Sequence, residues 1–375
     1  MQMERFVLQG GTLVTAKGVF SADITVSQGK IEEVRRDQPR LKRLAVKNET
    51  PKIFDASQYY IVPGLIALTQ IQPSRIVQTD KYIDTVRRYI QSGHTFLLDT
   101  IQIDEWMSGE QIFYQMAMHY NSPIDYGIQI GLDVSQFHAA RLRELCRCGF
   151  RLFQVMIGQT ADYGRIDWQQ LYAVCDLYKP CIELKINENT IRTKEQRQAI
   201  VQNWLFDCIY GQVRTYSRDF APFERISAYR SFYPVALLQG EESTKGWKYL
   251  REDWQRYFPA AAPLEAIRVK CGPKGYAEQL LCYLVRLAST NLAKIIGCYP
   301  RKGSLLPGAD ADFFLLRKED WLTNTALSTI LNFSEVCLPS YVLSKGRWIC
   351  QDGNHAPSLG TGSALIRTKS YNYAM

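Results

Sequence analysis

The run CIELKIN, at residues 181–187, holds the side chains best suited to chemistry in the middle of the chain. Polar and apolar residues alternate along it, as on a β-strand with one polar face. Glu183 and Lys185 therefore share a face, and three aliphatic residues occupy the other. A carboxylate and an amine on one face are candidates for a catalytic base and an electrophile. The alternative is a structural Glu183–Lys185 ion pair in a polar interior, which is the commoner case.

Histidine, a frequent metal ligand, is scarce in this sequence. The 375 residues include four histidines, at His94, His119, His138 and His355. No two of them have the spacing of a metal-binding pair, so we expect each to be a packing or surface residue. The ten cysteines include no CxxC pair, and we interpret them as reduced thiols that mostly fill the core. The histidine and cysteine positions thus offer no ligand set for a metal ion.

Alternating helices and strands position the CIELKIN run. Several segments have an apolar face at the helical period, and each is followed by a short β-branched or aromatic run. Candidate N-terminal capping residues precede four such helices: Asp80, Ser135, Asp167 and Thr193. Strands are predicted to start roughly 25–30 residues apart, the spacing of βα units around a parallel sheet. The predicted starts are near Thr95, Tyr126, Phe150 and Pro180.

Both ends of the chain have a different pattern. ADITVSQGKIEEV alternates polar and apolar residues around a turn at Gln28 and Gly29, and SYVLSKGRWICQDG does so around Lys345 and Gly346. Alternation interrupted by a glycine-containing turn is typical of a β-hairpin. The run FFLL at residues 313–316 adds a further strand. We therefore predict one β-rich module assembled from both termini.

Two long stretches carry a family resemblance. They are FDASQYYIVPGLIALTQIQP at residues 54–73 and STNLAKIIGCYPRKGSLLPGADADFFLL at residues 289–316. Both resemble the amidohydrolase superfamily, in particular its dihydropyrimidinase/hydantoinase (dihydroorotase-like) branch. The resemblance implies an α/β fold: a TIM-type (β/α) barrel, complete or incomplete, with a small β-sandwich module formed from both termini. It also implies hydrolysis of cyclic amides by two metal ions, zinc in this family, at the barrel mouth.

The resemblance also implies a division of the chain. Residues 1–63 and 300–356 would form the composite β-sandwich module, and residues 64–299 would form the barrel. Residues 357–375 would form a C-terminal tail, for which a packing arm and a frayed end both remain open.

The positions that the resemblance assigns to metal ligands carry other residues. Thr69 and Ile71 stand where the family has two histidines, and Gln154 stands where it has a carbamylated lysine. Lys185 is nearest to the position of a further histidine. Hydroxyl, aliphatic and amide side chains do not supply the imidazole and carbamate donors that a two-metal hydrolase uses. The sequence therefore predicts a degenerate member without a metal or other cofactor.

Composition restricts the possible partners. The formal net charge of +8 fits a nucleic-acid binder, but the basic residues are dispersed apart from short clusters such as RLKR at residues 40–43. The aromatic run YRSFYP at residues 229–234 fits base stacking or an interface, and a core or oligomer contact is the commoner case. We expect no nucleic-acid partner. No apolar run of about 18 residues and no signal peptide is present, so we predict a cytoplasmic protein with no membrane span.

Two functions follow from these patterns. The first is a catalytically inactive dihydropyrimidinase/hydantoinase-like homologue that acts as an oligomeric scaffold or regulatory subunit, as a homo-oligomer or with a protein partner. The alternative is an active hydrolase of cyclic amide C–N bonds with a rebuilt site around Lys185 and Glu183.

Overall fold

The computed structural model describes residues 5–36, 51–71, 79–217, 264–323, 339–356 and 358–365. The clusters at residues 40–43 and 229–234, and the tail after residue 365, lie outside these ranges. None of the helices within them combines the length and apolar character that a membrane span needs.

The N-terminal part of the chain contributes five strands to one sheet, the terminal sheet. They are β1 (Phe6–Val14), β2 (Val19–Ser27), β3 (Lys30–Arg36), β4 (Lys52–Asp55) and β5 (Tyr59–Pro63). Strand β1 pairs antiparallel with β2 and parallel with β4 and β5. The predicted hairpin turn is confirmed, because Gln28 and Gly29 link β2 to β3 with φ angles of 50° and 77°. Positive φ at both positions is what such a tight turn requires.

Six parallel strands follow and form a second sheet, the parallel sheet. They are β6 (Leu65–Thr69), β7 (His94–Gln102), β8 (Asp125–Asp133), β9 (Leu152–Ile157), β10 (Cys181–Ile186) and β11 (Arg214–Ser217). Each strand pairs with its neighbour in chain order, which is the order found in a (β/α) barrel. The four predicted strand starts each lie within two residues of an observed one.

The parallel sheet is strongly curved. Gln129 on β8 donates a hydrogen bond of 2.8 Å to the hydroxyl of Tyr216 on β11, although two strands lie between them. A complete TIM barrel has eight strands, and within the described ranges no pairing joins β11 back to β6. The sheet therefore fits an incomplete TIM-type barrel, to which the terminal sheet is an additional module.

Five helices follow the strands of the parallel sheet. They are α1 (Thr79–Gln91), α2 (Gly109–Met116), α3 (Ala139–Arg147), α4 (Trp168–Tyr178) and α5 (Lys194–Tyr210). Asp167 and Thr193 cap α4 and α5 as predicted, since their side chains accept hydrogen bonds from the backbone of the first turn. The aliphatic face of β10 lies in one buried cluster with Leu142, Leu171 and Trp204 of these helices.

The predicted cap of α3 is wrong. Ser135 lies in a separate 3-10 turn, Val134–Gln136, which Asp133 and Gln136 cap reciprocally. Because that turn forms its own unit, α3 starts later, and its N-cap is His138, whose Nδ1 accepts a hydrogen bond of 3.4 Å from the backbone of Arg141.

A long helical segment then enters the curved sheet. It consists of α6 (Leu264–Val285), a π-helical turn (Arg286–Thr290) and α7 (Asn291–Ile296). Helix α6 is interrupted at Gly272, whose φ of 70° and ψ of 176° are not helical, and Pro273 follows. Leu292 and Ile296 of α7 share a buried cluster with Phe96, Leu152 and Tyr216. These apolar side chains fill the end of the concave face at which the strands begin.

The remaining elements complete the terminal sheet. They are β12 (Phe313–Arg317), α8 (Lys318–Thr323), β13 (Tyr341–Ser344), β14 (Arg347–Gln351) and β15 (Asn354–His355). Strand β12 pairs antiparallel with β5, which joins the two ends of the chain in one sheet. The sheet curls until Phe6 on β1 lies 5.8 Å from Trp348 on β14, measured between ring centroids. The predicted β-sandwich is thus a single curled sheet built from both termini.

His94 makes stability depend on pH. It begins β7, is 2% exposed, and its Nδ1 lies 3.1 Å from the carbonyl oxygen of Tyr89. Burial lowers the pKa of His94 to about 4, whereas a histidine in an unfolded chain has a pKa of about 6.5. Between these two pH values the folded chain keeps His94 neutral, and the unfolded chain binds a proton there. The free energy of unfolding therefore falls as the pH is lowered from about 6.5 to about 4.

We expect His94→Gln to flatten this pH dependence by about 1 kcal/mol per pH unit within that window, since one fewer proton is taken up on unfolding. Urea denaturation at pH 7, 6, 5 and 4 measures the slope. His138→Asn is the control, because His138 is exposed and asparagine also caps a helix. Equal slopes for His94→Gln and the unchanged chain would contradict this assignment.

Candidate functional site on the concave face of the parallel sheet

Five polar side chains on the concave face form one hydrogen-bond network, which we call the lumen network. The amide of Gln154 and the hydroxyl of Tyr216 each donate to Oε2 of Glu183, both at 3.0 Å. Gln129 donates to the Tyr216 hydroxyl oxygen and accepts a 3.0 Å hydrogen bond from Thr100. All five side chains are buried. The network therefore links strands β7 to β11 across the concave face.

Strand register brings the centre of the network together. Glu183 on β10 lies directly opposite Gln154 on β9 and Tyr216 on β11. In a parallel sheet, residues opposite one another point to the same face. Toward the start of the strands, the network rests on the apolar cluster that contains Leu152 and Cys181. The buried carboxylate is thus held by polar neighbours above an apolar floor.

Lys185 lies apart from the network. It is partly buried, two residues closer than Glu183 to the C-terminal end of β10, and it is in register with Met156. Among the ion pairs of the described ranges, none joins Lys185 to Glu183. In the predicted ion pair, Lys185 would contact the carboxylate of Glu183. In the structure, Gln154 and Tyr216 contact that carboxylate.

Thr69 and Ile71 belong to a different buried network. The Thr69 hydroxyl and the Ile71 backbone N–H both donate to Oδ1 of Asp99, at 2.6 and 2.8 Å. The other oxygen of Asp99 lies 3.2 Å from Nε2 of His119, whose Nδ1 lies 2.9 Å from the hydroxyl of Tyr82. These contacts fasten the end of β6 to β7 and α1. His119 is therefore a packing histidine, as predicted.

The residues at the implied metal-ligand positions do not fit a two-metal centre. Such a centre needs imidazole, carboxylate or carbamate donors directed at a shared point. Thr69 and Ile71 instead direct hydrogens at Asp99, and Gln154 directs its amide hydrogens at Glu183. This arrangement disagrees with the zinc chemistry that the resemblance implies.

A second charged cluster lies between the two sheets. Carboxylate oxygens of Asp125, Asp310 and Asp312 lie within 4.8 Å of one another, close enough to share a cation. The ammonium of Lys302 lies among them, 2.6 Å from Asp125 and 3.0 Å from Asp310, and also contacts Asp312. Lys302 is 2% exposed. Lys302, in PRKG at residues 300–303, is thus a counter-charge for the three aspartates. Asp310 and Asp312 belong to GADAD at residues 308–312.

Burial and neighbouring charges act in opposite directions on the pKa values of Lys302, Asp310 and Asp312. Burial alone would lower the pKa of Lys302, but Asp312, Asp125 and Asp310 outweigh it and raise that pKa above its ordinary value. Burial likewise favours protonated Asp310, yet Lys302 and Arg301 outweigh burial and hold the Asp310 pKa below its usual range. Burial raises the pKa of Asp312. The Lys302 ammonium therefore stabilises the cluster, with further counter-charge from Arg301 and Lys345.

Comparisons with known proteins agree with this architecture. The chain superposes on a dihydropyrimidinase from Brevibacillus agri with a TM-score of 0.66 and 16% identity, covering 97% of this chain and 98% of that one. An L-hydantoinase from Arthrobacter aurescens gives a TM-score of 0.63 at 13% identity, covering 98% of this chain and 100% of that one. The fold is that of the dihydropyrimidinases and hydantoinases. Identities this low establish the fold and not the activity.

Sequence comparison gives a shorter match. A segment of 86 residues is 35% identical to dihydropyrimidinase-related protein 5 of Mus musculus and 34% identical to that of Homo sapiens. The match spans 21% of this chain and 15% of the length of those relatives. No family model matches the chain.

Sequence reasoning grouped Glu183 and Gln154 with the site but missed three members of the lumen network. Gln129 stands between Ile128 and Ile130 in β8, and a polar residue between two aliphatic ones is the signal that could have found it. Tyr216 lies in a strand that the sequence did not predict. The contact of Tyr216 with Gln129 depends on the curvature of the sheet, which the sequence does not display.

We expect Tyr216→Phe to lower the free energy of unfolding by about 1–3 kcal/mol, because buried Glu183 and Gln129 both lose a hydrogen-bond partner. Thermal and urea denaturation of the purified full-length chain measure the change. Tyr210→Phe is the matched control, since that tyrosine is 75% exposed, and we expect a change within about 0.5 kcal/mol. Equal effects of the two substitutions would argue against the network.

We expect Lys302→Met to destabilise the chain by about 3–5 kcal/mol at pH 7, because it leaves three buried carboxylates without their shared cation. Lys30→Met is the control: Lys30 also contacts Asp310, but its side chain is 54% exposed, so we expect a loss below about 1 kcal/mol. Urea denaturation compares the two variants. A loss for Lys302→Met no larger than that for Lys30→Met would show that the cluster is not a main source of stability.

Proposed function

We propose that this chain is a catalytically inactive homologue of the dihydropyrimidinases and hydantoinases that serves as an oligomeric scaffold or regulatory subunit. The lumen network supports this most strongly. Gln154 stands at the position implied for the metal-bridging lysine, and Glu183 is a candidate catalytic residue. Glu183 accepts hydrogen bonds from Gln154 and from Tyr216, and all three side chains are buried. We also propose that the protein is cytoplasmic. The same proposal divides the chain into a terminal module (residues 1–63 and 300–356), a barrel (residues 64–299) and a tail (residues 357–375).

The chemistry of the ancestral reaction supports the same conclusion. Hydrolysis of a cyclic amide requires a polarised carbonyl group and an activated water molecule, which the related enzymes would obtain from metal ions. In this chain the hydroxyl of Thr69 and the backbone of Ile71 are engaged by Asp99. Among the described residues, the positions implied for the metal ligands therefore supply no donor set for either task.

The outer surface supports a role in protein contacts. Helix α5 buries Trp204 and Cys208 against the sheet, yet it also exposes Phe206 by 69% and Tyr210 by 75%. Leu177 at the end of α4 is 69% exposed. A helix that is apolar on both its inner and its outer face is typical of an element covered in a larger assembly. These helix ends are the surface that we assign to an oligomer or partner contact.

A second candidate function rests on Lys185. Its side chain is partly buried and lies toward the C-terminal end of β10, the end at which barrel enzymes bind their substrates. An amine at this place could polarise a carbonyl group without a metal ion. The candidate is a hydrolase of cyclic amides with a rebuilt site around Lys185.

Metal content and hydrolysis separate the two functions. We expect full-length protein produced with added zinc and manganese to contain substoichiometric metal by elemental mass spectrometry. We also expect it to hydrolyse dihydrouracil and hydantoin no faster than heat-inactivated protein. Hydrolysis that Lys185→Ala abolishes would support the rebuilt site instead. One or two tightly bound ions per chain, with hydrolysis that a chelator removes, would overturn both assignments.

A further inference from the structure

Part of the C-terminal tail packs against the first residues of β8. The backbone N–H of Tyr126 donates a 3.1 Å hydrogen bond to the carbonyl oxygen of Ser363. A Cβ atom at Gly362 would lie 2.0 Å from the carbonyl oxygen of Ile124, so only glycine fits at this position. Residues 360–365, which we call the arm, are therefore a packing arm, one of the two alternatives that the sequence left open for the tail.

A gap follows the arm on the same edge of β8. The pairing of β8 with β9 starts only at Ile130, opposite Phe153, and Ile128 lies between the arm and this start. The N–H and C=O groups along a strand alternate between its two edges, so Ile128 directs both groups to the same edge as Tyr126. Among the described residues, neither group has a hydrogen-bond partner. Backbone groups inside a protein are nearly always paired, with protein, water or a ligand.

A cavity lies at this gap. It has a volume of about 130 Å³, is partly open to the surface, and extends between Leu365 at the end of the arm and Leu152 at the start of β9. Its apolar lining also includes Phe113, Met116, Ile128 and Phe150. An apolar protein cavity of about 150 Å³ holds one molecule of benzene. The cavity beside Ile128 therefore has room for a single ring.

The side chains around the cavity offer a ligand few hydrogen bonds. Arg151 lines it, but Nη1 of its guanidinium donates to two backbone carbonyl oxygens. Cys148 contributes a thiol, which is a weak hydrogen-bonding group. The rings of Phe113 and Phe150 stack with their centroids 5.4 Å apart. The cavity thus combines aromatic walls with one strong polar feature, the backbone of Ile128.

The backbone of Ile128 determines which ligand fits. In an extended strand, the N–H and C=O of one residue point in the same direction. A ligand that pairs with both groups needs an acceptor atom and an N–H donor at adjacent positions on one edge. An aromatic ring nitrogen beside an exocyclic amino group has this arrangement, and its flat ring suits aromatic walls. An ordinary trans amide does not, because its N–H and C=O point in opposite directions.

We propose that the cavity beside Ile128 is a binding site for a one-ring aromatic heterocycle with an amino group next to a ring nitrogen. The ring nitrogen accepts a hydrogen bond from the Ile128 N–H, and the amino group donates one to the Ile128 carbonyl oxygen. The ligand fills the gap between the arm and β9 and displaces no part of the chain. Ile128 packs against the cluster on the helix side of the sheet, away from the lumen network, so this inference is independent of the proposed function.

Titration of the full-length chain with 2-aminopyrimidine tests the site. The amide signals of Ile128 and Leu152 in isotope-labelled protein measure binding by nuclear magnetic resonance. We expect both signals to shift and to saturate. Pyrimidine lacks the amino donor and aniline lacks the ring nitrogen, so each should bind at least about tenfold more weakly, because one group of Ile128 then remains unpaired.

Ala364→Leu narrows the cavity, because Ala364 is part of its lining. We expect this variant to bind 2-aminopyrimidine at least about tenfold more weakly than the unchanged chain. Ala199→Leu is the matched control, since Ala199 is exposed on α5, and should bind as the unchanged chain does. The comparison of the three probes on the unchanged chain depends on neither variant. Absence of saturation at Ile128, equal binding of the three probes, or undiminished binding by folded Ala364→Leu protein would overturn the proposal.

Discussion

The relative position of the two sheets depends on a buried cluster of charges around one ammonium group. Asp125 begins β8 of the parallel sheet, and Asp312 directly precedes β12 of the terminal sheet. Lys302 contacts both, together with Asp310. Lys345 and Arg301 add counter-charge at Asp125 and Asp310, respectively. Buried carboxylates without a counter-charge are strongly unfavourable, so this cluster stabilises the contact between the two sheets. The stretch at residues 289–316, which carries part of the family resemblance, therefore has a structural role through Lys302, Asp310 and Asp312.

The same electrostatic rule governs the concave face. A polar interior requires a partner for each donor and acceptor, whether the partner is an ion or another side chain. Glu183 accepts hydrogen bonds from Gln154 and Tyr216, and Asp99 accepts them from Thr69 and Ile71. In the function that we propose, these hydrogen bonds between protein groups take the role that metal coordination would have in the enzymes that the sequence resembles.

Local sequence patterns predicted the elements of the fold better than the contacts between them. Period-two alternation located β10 and both terminal hairpins, and the caps at Asp167 and Thr193 were correct because a cap is decided within one turn. Ser135 failed as a cap because a competing turn formed around it. The partners of Glu183 and Lys302 were not predicted, since Tyr216 lies on a strand that the sequence patterns did not reveal. Asp125 meets Lys302 only where the two sheets contact each other. The close approach of Gly362 to Ile124 was not predicted either, because it involves backbone atoms that a side-chain pattern does not report.

We propose that hydrogen bonds between side chains replace metal ions on the concave face. Anomalous diffraction at the zinc edge, from crystals of the protein soaked in zinc, is the decisive measurement. We expect no anomalous peak within bonding distance of Gln154, Glu183 or Thr69, and an intact hydrogen bond between Gln154 and Glu183. A zinc peak coordinated by Glu183, with Gln154 turned away from it, would show that a metal ion can occupy this face.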